Sequence, residues 1–196
     1  RQAPVDRIGQ SGDRLVLAVT YYGLASTVDL FETATGTLIT SVNLAPYVPL
    51  NFDLSPTGDR LLWTDGSGSA GIYDLSSGAN HLLSDSGDFA YSDLDWSPVN
   101  DMIGFALGAS LSIGDASTGV SGGTVGNNAP TIVSFAFNPD GESIATSHYA
   151  DDFFNLDQSM SMVQIWNLSN LSGGSLNTTP LITLEDIGGG NVDWSP

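Results

Sequence analysis

"FDLSPTGDRLLWT" (52–64) is followed closely by "GIYDLSSG" (71–78), and this pair of phrases decides the reading. The first is an apolar–polar–apolar triplet, then Ser-Pro, a polar turn and a new apolar run. It returns as "LDWSPVNDMI" from Leu94 and "FAFNPDGESI" from Phe135, and its opening returns as "VDWSP" (192–196). The prolines at 56, 98, 139 and 196 stand 42, 41 and 57 residues apart, and "GDRL" at 12–15 repeats at 58–61, an interval of 46. Periods of this size mark repeat architectures. The second phrase recurs as "DLFETATG" (29–36), "SIGDASTG" (112–119) and "QIWNLSN" (164–170). Leu30, Ile72, Ile113 and Ile165 then share one position, and Glu32, Asp74, Asp115 and Asn167 another. An Asp or Asn there is suited to accept hydrogen bonds from its own turn backbone.

Between these phrases lie short stretches rich in β-branched and aromatic residues: 14–22, 37–44, 60–64, 102–107, 143–149 and 180–186. Clusters of Gly, Asn, Asp, Ser and Pro separate them, so each reads as a strand. No segment holds a 3.6-residue apolar period long enough for a helix, although 149–161 has room for one helical turn. Each unit therefore holds four strands; in the second they fall near 50–55, 60–64, 70–75 and 80–84. A lone sheet of this size cannot bury both faces, whereas sheets stacked side by side about an axis can. The expected class is an all-β β-propeller of four-stranded antiparallel blades. The blades span about 4–44, 50–85, 92–126 and 132–186, with a further first strand at 190–196, and form one domain or a segment of one over 1–196.

The phrases "FDLSPTGDRLLWT…GIYDLSSG", "LDWSPVNDMIGFA…SIGDASTG" and "FAFNPDGESIATS…VQIWNLSN" resemble WD-repeat or WD-like β-propeller blades, over nearly the whole chain. "VQIWN" (163–167) comes nearest to that family's closing Trp–Asp pair. The Gly–His pair typical of each family repeat is missing, and His81 and His148 do not recur in register, so a divergent bacterial-type propeller fits as well. The resemblance implies a rigid disc whose loops and central mouth hold partners. Three arrangements of "VDWSP" are compatible with it. The chain is a segment with further blades beyond; or 190–196 returns to reinforce "PVDRIG" (4–9) in a closed four-bladed ring; or neighbouring copies complete each other's sheets.

Composition narrows the function. Four Lys and Arg against 22 Asp and Glu give a formal charge of −18, a field that repels nucleic acids and anionic membranes. No apolar run approaches the roughly 18 residues of a membrane span. Cysteine is absent, which removes disulfides and thiolate metal sites. Low Lys with abundant Ser, Thr, Gly and Asn suits an extracellular or cell-surface setting, with the cytoplasm as the alternative.

The insertion "SHYADDFFNLDQSMSM" (147–162) accounts for the long last interval. Asp151, Asp152, Phe153, Phe154 and Asp157 make it the expected partner-binding loop. The oxygens of Asp151, Asp152, Asn155 and Asp157 suit Ca²⁺, though their spacing matches no established calcium loop. Otherwise no cofactor is expected. Trp63, Trp96, Trp166 and Trp194 lie in repeat strands and read as packing between blades. Of the sequons at Asn167, Asn170 and Asn177, the last is the best glycosylation acceptor. Neither histidine has a Ser and Asp placed for a triad. The expected function is a non-enzymatic protein-interaction or assembly scaffold, binding a protein partner or itself. The alternatives are a structural subunit of an extracellular filament joined through strand edges, and a propeller-type hydrolase or lyase. For the enzyme, Asp65, Asp95 and Asp193 are the first carboxylates to inspect.

Overall fold

The computed structural model describes residues 5–11, 16–21, 26–85, 93–117, 121–126, 130–150, 160–169, 175–185, 187 and 190–194. Every regular element among them is a β-strand. The first sheet comprises β1 (Val5–Gln10), β2 (Val16–Tyr21), β3 (Thr27–Glu32) and β4 (Leu38–Asn43). The second comprises β5 (Pro49–Leu54), β6 (Arg60–Asp65), β7 (Ser69–Asp74) and β8 (Asn80–Asp85). The third is built on β9 (Asp93–Trp96), β10 (Met102–Leu107), β11 (Ser110–Asp115) and β12 (Ser121–Val125). Of the remaining strands, β13 (Thr131–Phe137), β14 (Ser143–Ala150), β15 (Met160–Asn167) and β17 (Ile182–Glu185) form the fourth sheet. Strand β16 (Ser175–Asn177) instead pairs in parallel with β12, as a fifth strand of the third sheet. All other pairings are antiparallel. The chain divides into two compact units, Arg1–Ala90 with the first two sheets and Tyr91–Pro196 with the last two.

The repeated phrases are turns of fixed hydrogen bonding. Ser55 N–H donates to Arg60 O and Gly58 N–H to Ser55 O; Asn138 N–H donates to Ser143 O and Gly141 N–H to Asn138 O; Ser97 N–H donates to Met102 O. Ser11 N–H donates to Val16 O in the same way. Ser11 is thus equivalent to Ser55, an interval of 44 residues, while the first "GDRL" (12–15) lies outside the described residues. The second phrase also behaves as its chemistry demands. The side chain of Asp74 accepts Ser76 N–H and Ser77 N–H, Asp115 accepts Ser117 N–H, and Asn167 accepts Ser169 N–H. Glu32, one methylene longer, accepts the Thr35 hydroxyl at 2.5 Å instead.

Each unit buries one face of its first sheet against its second by the same positions. In the first unit these are Val28, Leu30 and Val42, packed with Leu54 and Leu61. In the second they are Leu111, Ile113 and Val125, packed with Phe137 and Ile144. The cross-strand pairs Val28↔Val42 and Leu111↔Val125 show the equivalence. Alternation along β3 and β11 places these side chains on one face. Close approach is secured by glycine: a Cβ on Gly104 would lie 2.5 Å from the ring of Phe135. Gly58 and Gly141 take φ of +70° and +71°, and a Cβ there would meet Val16 at 2.8 Å and Val99 at 2.5 Å. The turn of one sheet therefore seats on the turn of the preceding one in both units.

Residues 190–194 run beside the inner strands of the fourth sheet. Ser147 Oγ donates to Gly190 O at 2.5 Å, and the Trp194 indole N–H donates to Ala136 O at 3.0 Å.

Candidate functional site

The most concentrated polar chemistry among the described residues is buried in the fourth sheet. Ile144, Thr146 and His148 point to one face of β14, and register places them opposite Trp166, Gln164 and Met162 of β15. Thr146, His148 and Trp166 are each wholly buried. His148 Nδ1 lies 2.8 Å from Pro130 O. A carbonyl can only accept, so Nδ1 carries the proton and Nε2 of the neutral ring is an acceptor. The Thr146 hydroxyl, 2.8 Å from Nε2, donates to it, and Thr146 Oγ1 accepts the Trp166 indole N–H at 2.8 Å. The chain Trp166 → Thr146 → His148 → Pro130 is consistent in direction at every link. Burial pushes the His148 imidazole below its ordinary range, against the pull of the Pro130 carbonyl. Sequence reading set His148 at the edge of an insertion; the structure puts it inside a strand. The available signal was Thr-x-His on one strand with a Trp on the next, since alternation alone brings the first two to one face. His81, in β8, is exposed.

The three carboxylates singled out for an enzyme are all engaged by backbone. Asp65, 8% exposed, accepts Ser67 N–H and Ser69 N–H at 2.9 Å each. Asp95 accepts the Phe137 N–H of the adjoining sheet at 3.0 Å, and Asp93 accepts Phe135 N–H at 3.0 Å. Asp193 accepts Trp194 N–H at 2.8 Å. No group of three or more His, Cys, Asp or Glu side chains among the described residues comes together to hold a metal ion. Asp151, Asp152, Phe153, Phe154, Asn155 and Asp157 lie outside the described residues, as does Asn170. Asn177 sits in β16; its side-chain N–H donates to Asn167 O at 3.2 Å and its side-chain oxygen accepts Thr179 N–H. Trp63, Trp96 and Trp166 are buried in the core, and Trp194 is half-buried.

Several large apolar side chains reach solvent, among them some on the outermost strands and others, such as Ile8 on β1 and Leu50 on β5, elsewhere. Leu38 and Ile39 on β4, Leu82 on β8, and Ile182 and Leu184 on β17 are each between 44% and 54% exposed. Beside the start of β4 opens a groove of about 450 Å³ lined by Val16, Glu32, Ala34, Thr37, Leu38 and Ile39.

No protein-family model matches the sequence, and no curated protein matches it. Among solved structures the chain is similar to the hydrazine synthase of Kuenenia stuttgartiensis, with 14% identity and a TM-score of 0.69. That similarity covers 91% of this chain and 48% of the other, so the chain spans about half of that structure's length. The likeness carries the fold alone: all-β and β-propeller-like.

Proposed function

We propose that this chain is a non-enzymatic protein-interaction module of the WD-like β-propeller type, working outside the cell or at its surface. One contrast carries the reading. Polar groups that chemistry would need are spent on the fold itself: His148 uses both ring nitrogens, and Asp65, Asp93 and Asp95 hold backbone N–H groups. Apolar side chains, by contrast, are offered to solvent on the outer strands. The formal charge of −18 favours a basic protein partner and disfavours nucleic acid. Peptide-display selection on the immobilised chain tests the reading. It should return basic ligands whose binding is saturable and weakens with salt. Catalytic turnover abolished by Asp95→Asn at an unchanged melting temperature would overturn it.

A further inference from the structure

Among the described residues, four sheets give four outer edges, and three of them are covered, short or end in a charged residue. Natural sheets guard an edge by covering it, by keeping it short, or by placing charge on it. β12 is covered by β16, whose Asn177 carbonyl also accepts Gly126 N–H at 3.0 Å. β17 has four residues and ends in Glu185. β8 runs into Asp85. β4 differs: its six residues, LITSVN, carry no charge and no proline, and Leu38 and Ile39 stand 50% and 54% exposed. Its one bulge lies near Ile39, where the register against β3 shifts between Leu30 and Phe31, and Thr40–Asn43 continue regularly.

The direction of the open groups follows from the ladder. Leu44 N–H donates to Ser26 O, and Thr27↔Asn43 is the adjacent register pair. In an antiparallel ladder this makes Thr27↔Asn43 and Asp29↔Ser41 non-hydrogen-bonded pairs. The N–H and C=O groups of Ser41 and Asn43 therefore point away from β3, along the outer edge. We propose that this edge of β4 is a docking site for an extended, basic segment of a partner protein, added as a further strand. The inference rests on the interaction-module reading and gives it a location. Within this same molecule, β16 on β12 shows a blade's outer edge accepting an extended segment. Charge selects the occupant: two copies each at −18 repel, whereas a cationic segment is attracted. Exposed Glu32, in the groove beside Leu38 and Ile39, supplies the local anion and the pocket for a Lys or Arg of the added strand.

The probe is an acetylated, amidated peptide of alternating valine and threonine with a lysine at each end, titrated into the intact chain at low ionic strength. Amide exchange is followed by NMR. The peptide should bind saturably and slow exchange at Ser41 and Asn43, while Val42, already bonded to β3, changes little. Ser41→Pro removes an outward donor without removing a backbone bond to β3, Ser41→Ala controls for the lost hydroxyl donation to Asp29, and Ile39→Lys adds an edge charge. Ser41→Pro and Ile39→Lys should each weaken binding at least tenfold, measured against Ser41→Ala for the former, with the fold retained. Undetectable binding, or binding that Ser41→Pro and Ile39→Lys both leave unchanged, overturns the edge assignment. Display-selected ligands that still bind Ser41→Pro would leave the interaction-module reading standing on another surface. A dimer that Ser41→Pro dissolves overturns the choice of a basic partner in favour of a second copy.

Discussion

Replacing Thr146 by Val tests whether the buried chain in the fourth sheet is held by its hydroxyl or by shape alone. The substitution keeps the volume and β-branching and deletes one oxygen. Two groups then lose their partner: the Trp166 indole N–H and His148 Nε2, both within wholly buried side chains. A buried polar group left unsatisfied costs about 1–3 kcal/mol. The added methyl returns about 0.8 kcal/mol. The net loss should be about 1–5 kcal/mol, which lowers a urea midpoint by roughly 0.5–2.5 M at a slope of about 2 kcal/mol per M. Thr146→Ser keeps the oxygen, loses the methyl and should lose less. Trp166→Phe removes one of the two orphaned groups, so Thr146→Val should cost about 1 kcal/mol less in that background. Urea unfolding by circular dichroism at pH 7.5 measures wild type, the three single variants and the double variant. If valine is as stable as threonine, or serine is worse than valine, the hydroxyl does not organise this core.

The same site sets a pH dependence. Burial lowers the His148 pKa below its ordinary 6.5, so the unfolded chain binds the proton more readily. Stability is full above that value and falls as pH drops below it; titrating wild type against His148→Gln between pH 7.5 and 5 should show a drop specific to wild type. Asp95→Ala leaves the buried Phe137 N–H without its acceptor and should cost about 1–3 kcal/mol, with Asp95→Asn milder because its carbonyl still accepts; equal midpoints for alanine and wild type would remove this tie between sheets. Gly141→Ala forces a left-handed alanine, about 1–2 kcal/mol, and drives a Cβ against Val99. Adding Val99→Ala should recover only the steric part, and full recovery would show that the backbone angle costs nothing.

The turn phrases were legible because each is closed by atoms within a few residues. Asp74, Asp115 and Asn167 accept from the next turn residues, and Ser55 and Asn138 bridge five positions. Strand alternation is equally local: the four strands expected near 50–55, 60–64, 70–75 and 80–84 fall at Pro49–Leu54, Arg60–Asp65, Ser69–Asp74 and Asn80–Asp85. Apolar spacing likewise marked Leu30, Ile72, Ile113 and Ile165 as one position, and all but the half-buried Ile165 are fully buried.

Other features depend on partners that local pattern does not name. β16 is three residues of ordinary composition, and it is a strand only because β12 presents an open edge beside it. Thr146 reads as one more strand residue until Trp166 and His148 are folded against it. Asp95 reads as a candidate acid until Phe137 N–H is seen to occupy it. Local chemistry thus chose strands, turns and the buried face, because those energies are settled between near neighbours. Which edge stays open, and which polar groups are consumed, follows from long-range packing, because a donor's worth depends on whatever acceptor the folded chain brings to it.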